Sequence, residues 1–231
     1  MAEGKYRLLY LDADDTLFDY HKAEQFSLSR ALGETGIDSP PAYLEEYQRI
    51  NRAVWLEYEE GRLTQPELRI KRFRLLFESI GLKNSPNPEV FSRTYLKYLA
   101  QAAFLIPGAQ EICRYLGARY TLALITNGLS EIQRSRIRLS PLKDTFPYVI
   151  ISEEAGDNKP NPGIFAYGER QTGRTDKNSI LIIGDSLTSD IQGGFNYGID
   201  TCWFNPRRAE NPTTLRPTYE IHSLEQLKDF L

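Results

Sequence analysis

Four carboxylates, Asp12, Asp14, Asp15 and Asp19, fall within eight residues of LLYLDADDTLFDY, directly after an apolar run. So many acids beside a buried strand repel one another, and a bound cation is the usual way to hold them together. Where the chain is still extended, residues two apart point to one side, so Asp12 and Asp14 can face one ligand while Ala13 points away. Such a pair divides labour readily, one member ionised as nucleophile and the other working as acid or base. Further along stand Thr126, Asn127 and Gly128 in ITNG, Lys159 in DNKPNPGIF, and Asp185 with Asp190 in GDSLTSD.

Elements must bring these scattered groups together. Short apolar runs, RLLYL ending at Leu11, YTLALIT at Thr126, YVIIS at Ser152, SILIIGD near Gly184 and TCWF at Phe204, read as strands buried on both faces. Alternating with helical patterns, they predict an α/β fold, a Rossmann-like three-layer core around a parallel sheet. Between the first two strands lie more than a hundred residues with little strand signal. AEQFSLSRALGETG, YLEEYQRINRAVWLEYEEG, PELRIKRFRLLFESIG and PEVFSRTYLKYLAQAA carry apolar residues at three- and four-residue spacing, mostly separated by Gly or Pro. The expectation is a helical cap over 20–104, inserted into a core made of 1–19 and 105–231.

In open parallel sheets ligands bind beyond the carboxyl ends of the strands. Asp12 and Asp14 follow the first expected strand, Thr126 and Asn127 the second, Lys159 comes soon after the third, and Asp185 follows the fourth. Taken singly, each string has an ordinary reading. DDT is an acidic helix-capping turn, GDS a common loop string, and Lys159 a solvated charge before a proline-started helix. Their coincidence at one sheet edge favours chemistry. Hard oxygen ligands without histidine or cysteine suit Mg²⁺, and a lysine, a threonine hydroxyl and loop amides complete an anion site.

LYLDADDTL, ITNG, Lys159-Pro160 and IIGDSLTSDIQGG resemble the four signature motifs of the haloacid dehalogenase superfamily in its phosphatase branch. DADDTLF, VWLEYEEGRLT, ISEEAGDNKPNPGIF and IQGGFNYGIDTCWFN are similar to the pyrimidine 5'-nucleotidases that act on noncanonical nucleoside monophosphates. The resemblance implies that Asp12 is the nucleophile and that Asp14 is the acid and later the base. It implies Mg²⁺ held by Asp12, the Asp14 backbone carbonyl and Asp185, with Thr16 and Asp190 helping from one layer out or through water. Thr126, Asn127, Gly128 and Lys159 would bind the phosphoryl oxygens. Many relatives have glycine where this chain has Asp15, while the flanking aspartates and Thr16 are intact. In the cap, Trp55 and Tyr58 are candidates for stacking on a base, with Arg52 or Arg62 for polar contacts. Aromatic residues three apart on a helix are also ordinary core residues.

The 231 residues and net charge of −3 give no sign of a nucleic-acid binder. Cys113 and Cys202 sit in apolar contexts, as buried thiols in a reducing compartment do. No stretch approaches the roughly 18–20 apolar residues of a membrane span, and the chain reads as cytoplasmic, a monomer or homodimer. The favoured function is a magnesium-dependent nucleoside monophosphatase acting on a small phosphomonoester. A sugar-phosphate or N-acylneuraminate-9-phosphate phosphatase shares the same core. A phosphomutase would need a bisphosphate activator. A catalytically silent phosphate-binding scaffold has no need for both a nucleophile and an acid.

Overall fold

The computed structural model describes residues 4–82 and 84–231, so the first three residues of the expected core and Lys83 of the expected cap lie outside it. The chain divides into two compact units, Met1–Tyr20 with Ala103–Leu231, and His21–Ala102.

The first unit is built on a parallel six-stranded sheet. Its strands are β1 (Leu8–Leu11), β2 (Thr121–Thr126), β3 (Tyr148–Ile151), β4 (Ile180–Gly184), β5 (Asp200–Phe204) and β6 (Tyr219–Ile221), in the order β3-β2-β1-β4-β5-β6. Alternate side chains of the same strand enter different cores. Leu9, Leu11, Leu122, Leu124, Leu181 and Ile183 pack on one face. Leu8, Tyr10, Ala123, Ile125, Ile180 and Ile182 pack on the other. Both faces are therefore dry, which is why the strands read as unbroken apolar runs. Three layers follow, as expected. One strand end differs from the sequence reading, and one strand is additional to it. Ser152 opens a short helix instead of closing β3, and β6 has only three residues, too few to show a period.

β1 lies between β2 and β4, where the order of connection reverses, and this is where an open parallel sheet forms a crevice at its carboxyl edge. The chain leaves that edge after Asp12 and returns beside itself. Phe18 bridges Leu105 in antiparallel fashion, and Ile106 N–H donates to Leu17 O at 2.9 Å, just before the helix α5 (Ala109–Gly117) that leads to β2.

The second unit contains most of α1 (Tyr20–Glu34), with α2 (Pro41–Glu59), α3 (Gln65–Ser79) and α4 (Pro88–Leu99). Thr64 and Glu67 form a capping box at α3, and Asn87 accepts from two amides at the start of α4. The core is aromatic: Tyr47 stacks on Phe73 at 5.4 Å, with Phe91 and Tyr95 against Phe73. Inside it runs a buried polar chain, Arg72 to Asn51 Oδ1 and Asn51 to Glu24 Oε1. Among the described residues no helix is long and apolar enough to cross a membrane.

Candidate functional site

Asp12 prolongs β1, its N–H donating to Ile183 O of β4 at 2.9 Å, so the neighbouring strand fixes its backbone. Lys159 arrives from the loop beyond β3. Its buried ammonium donates to Asp12 Oδ1 at 2.5 Å, Asp190 Oδ1 at 2.7 Å and Ile125 O at 2.9 Å, using its three protons. Only 1% of Lys159 is exposed, which rules out the solvated-charge reading. Asn127 fixes its backbone: Asn127 Oδ1 accepts from Lys159 N and Asn127 Nδ2 donates to Lys159 O, both at 2.8 Å. That side chain is committed to holding Lys159, a use that the ITNG string does not reveal.

Asp185 leaves β4 with its N–H on the buried Thr16 hydroxyl at 3.1 Å and its carbonyl on Trp203 Nε1 at 2.8 Å. Asp190, 1% exposed, returns from a π-helical turn, Leu187–Ile191, and accepts from Ser186 N. A Cβ at Gly184 would lie 2.2 Å from Asp190 Cγ, so glycine is needed there for Asp190 to pass beneath the strand end. Asp12, Asp185 and Asp190 each offer one oxygen, all within 4.8 Å of one another. Burial pushes Asp12 and Asp185 above the ordinary carboxyl range; Asp190 adds to both, Asp14 to Asp12, and Asp12 and Asp15 to Asp185, while Lys159 opposes the rise. Burial disfavours the charge on Lys159, yet the facing Asp12 and Asp190 carboxylates hold its pKa above the ordinary value.

Asp14 takes different partners. Its Oδ1 pairs with Arg136 and its Oδ2 accepts from Gln133 Nε2 at 2.6 Å, both on α6 (Ser130–Leu139). The two aspartates therefore bond different protein partners, Asp12 the Lys159 ammonium and Asp14 two side chains of α6. Gln133 Nε2 also approaches Thr126 Oγ1 at 3.3 Å, and that oxygen accepts from Gly128 N at 3.1 Å. Gln133 and Arg136 were not singled out from the sequence. Asp15 has φ 59°, in the left-handed region that glycine enters freely and Asp enters more readily than most residues. Its Oδ1 accepts from Tyr20 N at the start of α1 at 3.1 Å. A family model for haloacid dehalogenase-like hydrolases matches residues 10–204, which include the carboxyl ends of β1 to β5.

The chain belongs to the haloacid dehalogenase-like hydrolase family. Two relatives match almost end to end: the pyrimidine 5'-nucleotidase PynA of Streptococcus pneumoniae, 38% identical over 98% of this chain and 95% of PynA, and the pyrimidine 5'-nucleotidase YjjG of Escherichia coli, 32% identical over 98% of both. The solved structure of the HAD-hydrolase YfnB from Bacillus subtilis, bound to magnesium, superposes with a TM-score of 0.92 at 35% identity, covering 97% of this chain and 98% of that one.

The donors of this HAD hydrolase fit a hard divalent cation. Asp12, Asp185 and Asp190 gather beside one ammonium, which pairs with Asp12 and Asp190, and oxygen is the sole donor element among the three. In the helical unit, Trp55 and Tyr58 are half-buried and meet edge to face at 5.6 Å. Neither is among the fully buried residues of that unit. Arg52 is exposed, and the exposed Arg62 is paired with Glu60.

Proposed function

We propose that this chain is a magnesium-dependent phosphomonoester hydrolase that works through an aspartyl phosphate on Asp12, with pyrimidine nucleoside 5'-monophosphates as its substrates. The observation that carries the reading is the buried Lys159 ammonium held 2.5 Å from Asp12 beside two further carboxylates. A structural ion pair needs one acid for one base. The surplus acids suit a site that receives a cation and then a phosphate. The substrate class is supported by two full-length relatives, PynA and YjjG, both pyrimidine 5'-nucleotidases.

In the proposed reaction an Asp12 oxygen gives its electron pair to phosphorus as the ester P–O bond breaks. The pair of that bond stays on the leaving oxygen, which takes a proton from Asp14. A water oxygen then bonds to phosphorus and gives its proton to Asp14, and the Asp12–phosphorus bond breaks with its pair returning to the carboxylate. Lys159 neutralises charge on the phosphoryl oxygens, and the Thr126 hydroxyl with the Asn127 and Gly128 amides orients them. Asp12, Asp185 and the Asp14 backbone carbonyl would hold Mg²⁺, with Asp190 behind them. When bound, the ion supplies positive charge beside the same oxygens. The helical unit acts as a cap that reads the leaving group, with Trp55 and Tyr58 as stacking surfaces and Arg52 and Arg62 as polar contacts.

Turnover of an aryl phosphate, uridine monophosphate and ribose 5-phosphate, with Mg²⁺ and after chelation, tests this. A uridine monophosphate to ribose 5-phosphate ratio of kcat/KM above one is expected, and a ratio at or below one removes the nucleotidase assignment. Asp12→Asn should remain folded and never carry a phosphoryl group. Turnover of any monoester by this variant removes the covalent mechanism.

A further inference from the structure

α6 turns four positions inward, Ile132, Gln133, Arg136 and Ile137. Two of the four are polar, and one is an arginine with no exposed surface. Burying a guanidinium opposite a single carboxylate adds little or nothing to stability compared with an apolar side chain of similar size. What the arrangement does provide is direction. The guanidinium lies over the Phe18 ring at 4.7 Å, which fixes its plane, and it bonds Asp14 Oδ1. Gln133 has its amide sense set from both ends, its Oε1 accepting from Arg136 at 3.4 Å and its Nε2 donating to Asp14 Oδ2 at 2.6 Å. A Cβ at Gly128 would lie 2.3 Å from Gln133 Nε2, so the glycine of ITNG leaves room for this amide as well. Both oxygens of Asp14 are thereby tied to one helix, and the same amide reaches the Thr126 hydroxyl.

We propose that Gln133 and Arg136 are positioning residues that fix the Asp14 carboxyl group, and so set where the proton is delivered to the leaving oxygen and collected from water. This rests on the reading of Asp14 as the proton-transfer residue. It explains why α6 keeps two polar residues on its buried face. It also links the orientation of Asp14 to that of Thr126 through one side chain, so proton transfer and phosphoryl binding share a support.

The test is a double-mutant cycle between Arg136→Met and Asp14→Asn, followed by rapid mixing with two substrates. A misplacement of about 1 Å at a reacting group costs on the order of 10²-fold, so Arg136→Met should slow uridine monophosphate hydrolysis by roughly that factor with little change in KM. With p-nitrophenyl phosphate the leaving group departs without a proton. The first half-reaction is then spared and the second slowed, so nitrophenolate appears as a burst followed by slow turnover. Asp14→Asn should show the same bias more strongly, and adding Arg136→Met to it should cost little more. Arg136→Lys, which keeps the charge and loses the fork, should recover part of the rate. Equal slowing of both substrates without a burst, or additive losses in the cycle, overturns the proposal. If Asp14→Asn shows the bias and Arg136→Met does not, Asp14 keeps its role and the positioning claim falls. If Asp14→Asn shows no bias, the reading of Asp14 fails first. Should Arg136→Met not fold, Gln133→Leu enters the same cycle, with a smaller loss of the same pattern expected.

Discussion

Replacing Lys159 with Met keeps most of the stem and removes the one ammonium that faces Asp12 and Asp190. Breaking a buried pair from one side costs about 3–5 kcal/mol, because the partner charges stay behind. Here the Ile125 carbonyl loses its donor too. The loss has an escape: Asp12 and Asp185 already hold their protons to higher pH than ordinary carboxyls, and without the ammonium they should hold them higher still. The stability loss should therefore be modest near pH 5 and should grow towards the full amount, about 3–5 kcal/mol, only as pH rises past about 8, where Asp12 of the parent ionises. Three carboxylates freed of their ammonium also make a stronger cation site, so Mg²⁺ should raise the melting temperature of Lys159→Met more than that of the parent. On turnover, losing one preorganised charge at the phosphoryl oxygens is worth about 2.7–4 kcal/mol, or on the order of 10²–10³ in kcat. Thermal melts at both pH values, in chelator and in Mg²⁺, read the first effect, and kcat for an aryl phosphate reads the second. A melting loss that is the same at both pH values and indifferent to Mg²⁺ would show that Lys159 does not balance this cluster. Activity within a factor of two of the parent would remove it from the phosphate site.

The metal-free parent should lose stability as pH rises from the unfolded carboxyl pKa near 4 towards neutrality, because the folded state there binds protons that the unfolded state has released. Lys159, raised in the folded state, is charged throughout that window and adds no slope; melts of the parent and Asp185→Asn in chelator check this, the slope being smaller in the variant, and a parent slope of opposite sign refutes it. Asp15→Ala forces a left-handed residue with no side-chain cap and should cost about 1–2 kcal/mol, whereas Asp15→Gly keeps the conformation and should cost under about 1 kcal/mol. Equal losses on denaturant unfolding would show that the backbone conformation is not what Asp15 contributes. Trp55→Ala should lower the uridine monophosphate to ribose 5-phosphate ratio of kcat/KM by about tenfold, from a stacking worth of roughly 1–3 kcal/mol, while sparing an aryl phosphate. An unchanged ratio in a variant whose circular dichroism matches the parent rejects Trp55 as the reader.

Burial on both faces made five strands legible as apolar runs, and the acids at their ends were legible because residue type and strand end coincide. β6 was not legible, since YEI is shorter than one full alternation. The left-handed turn at Asp15 was not legible either, because φ depends on the Phe18 and Tyr20 contacts that close the loop. α6 shows most clearly what a sequence withholds. SEIQRSRIRL places Arg134, Arg136 and Arg138 at alternate positions, chemically identical. Arg134 pairs with Glu154 on the surface, Arg138 is exposed, and Arg136 is buried on Asp14. No local preference separates the three. The separation comes from phase: a 3.6-residue period puts 132, 133, 136 and 137 on one face, and the two isoleucines mark that face as the inner one. A buried charge or amide is costly unless it is bonded, so polar residues inside an apolar stripe call for a partner across the core. That partner is Asp14, more than a hundred residues earlier in the chain, at a distance only the sheet order β2-β1-β4 can close.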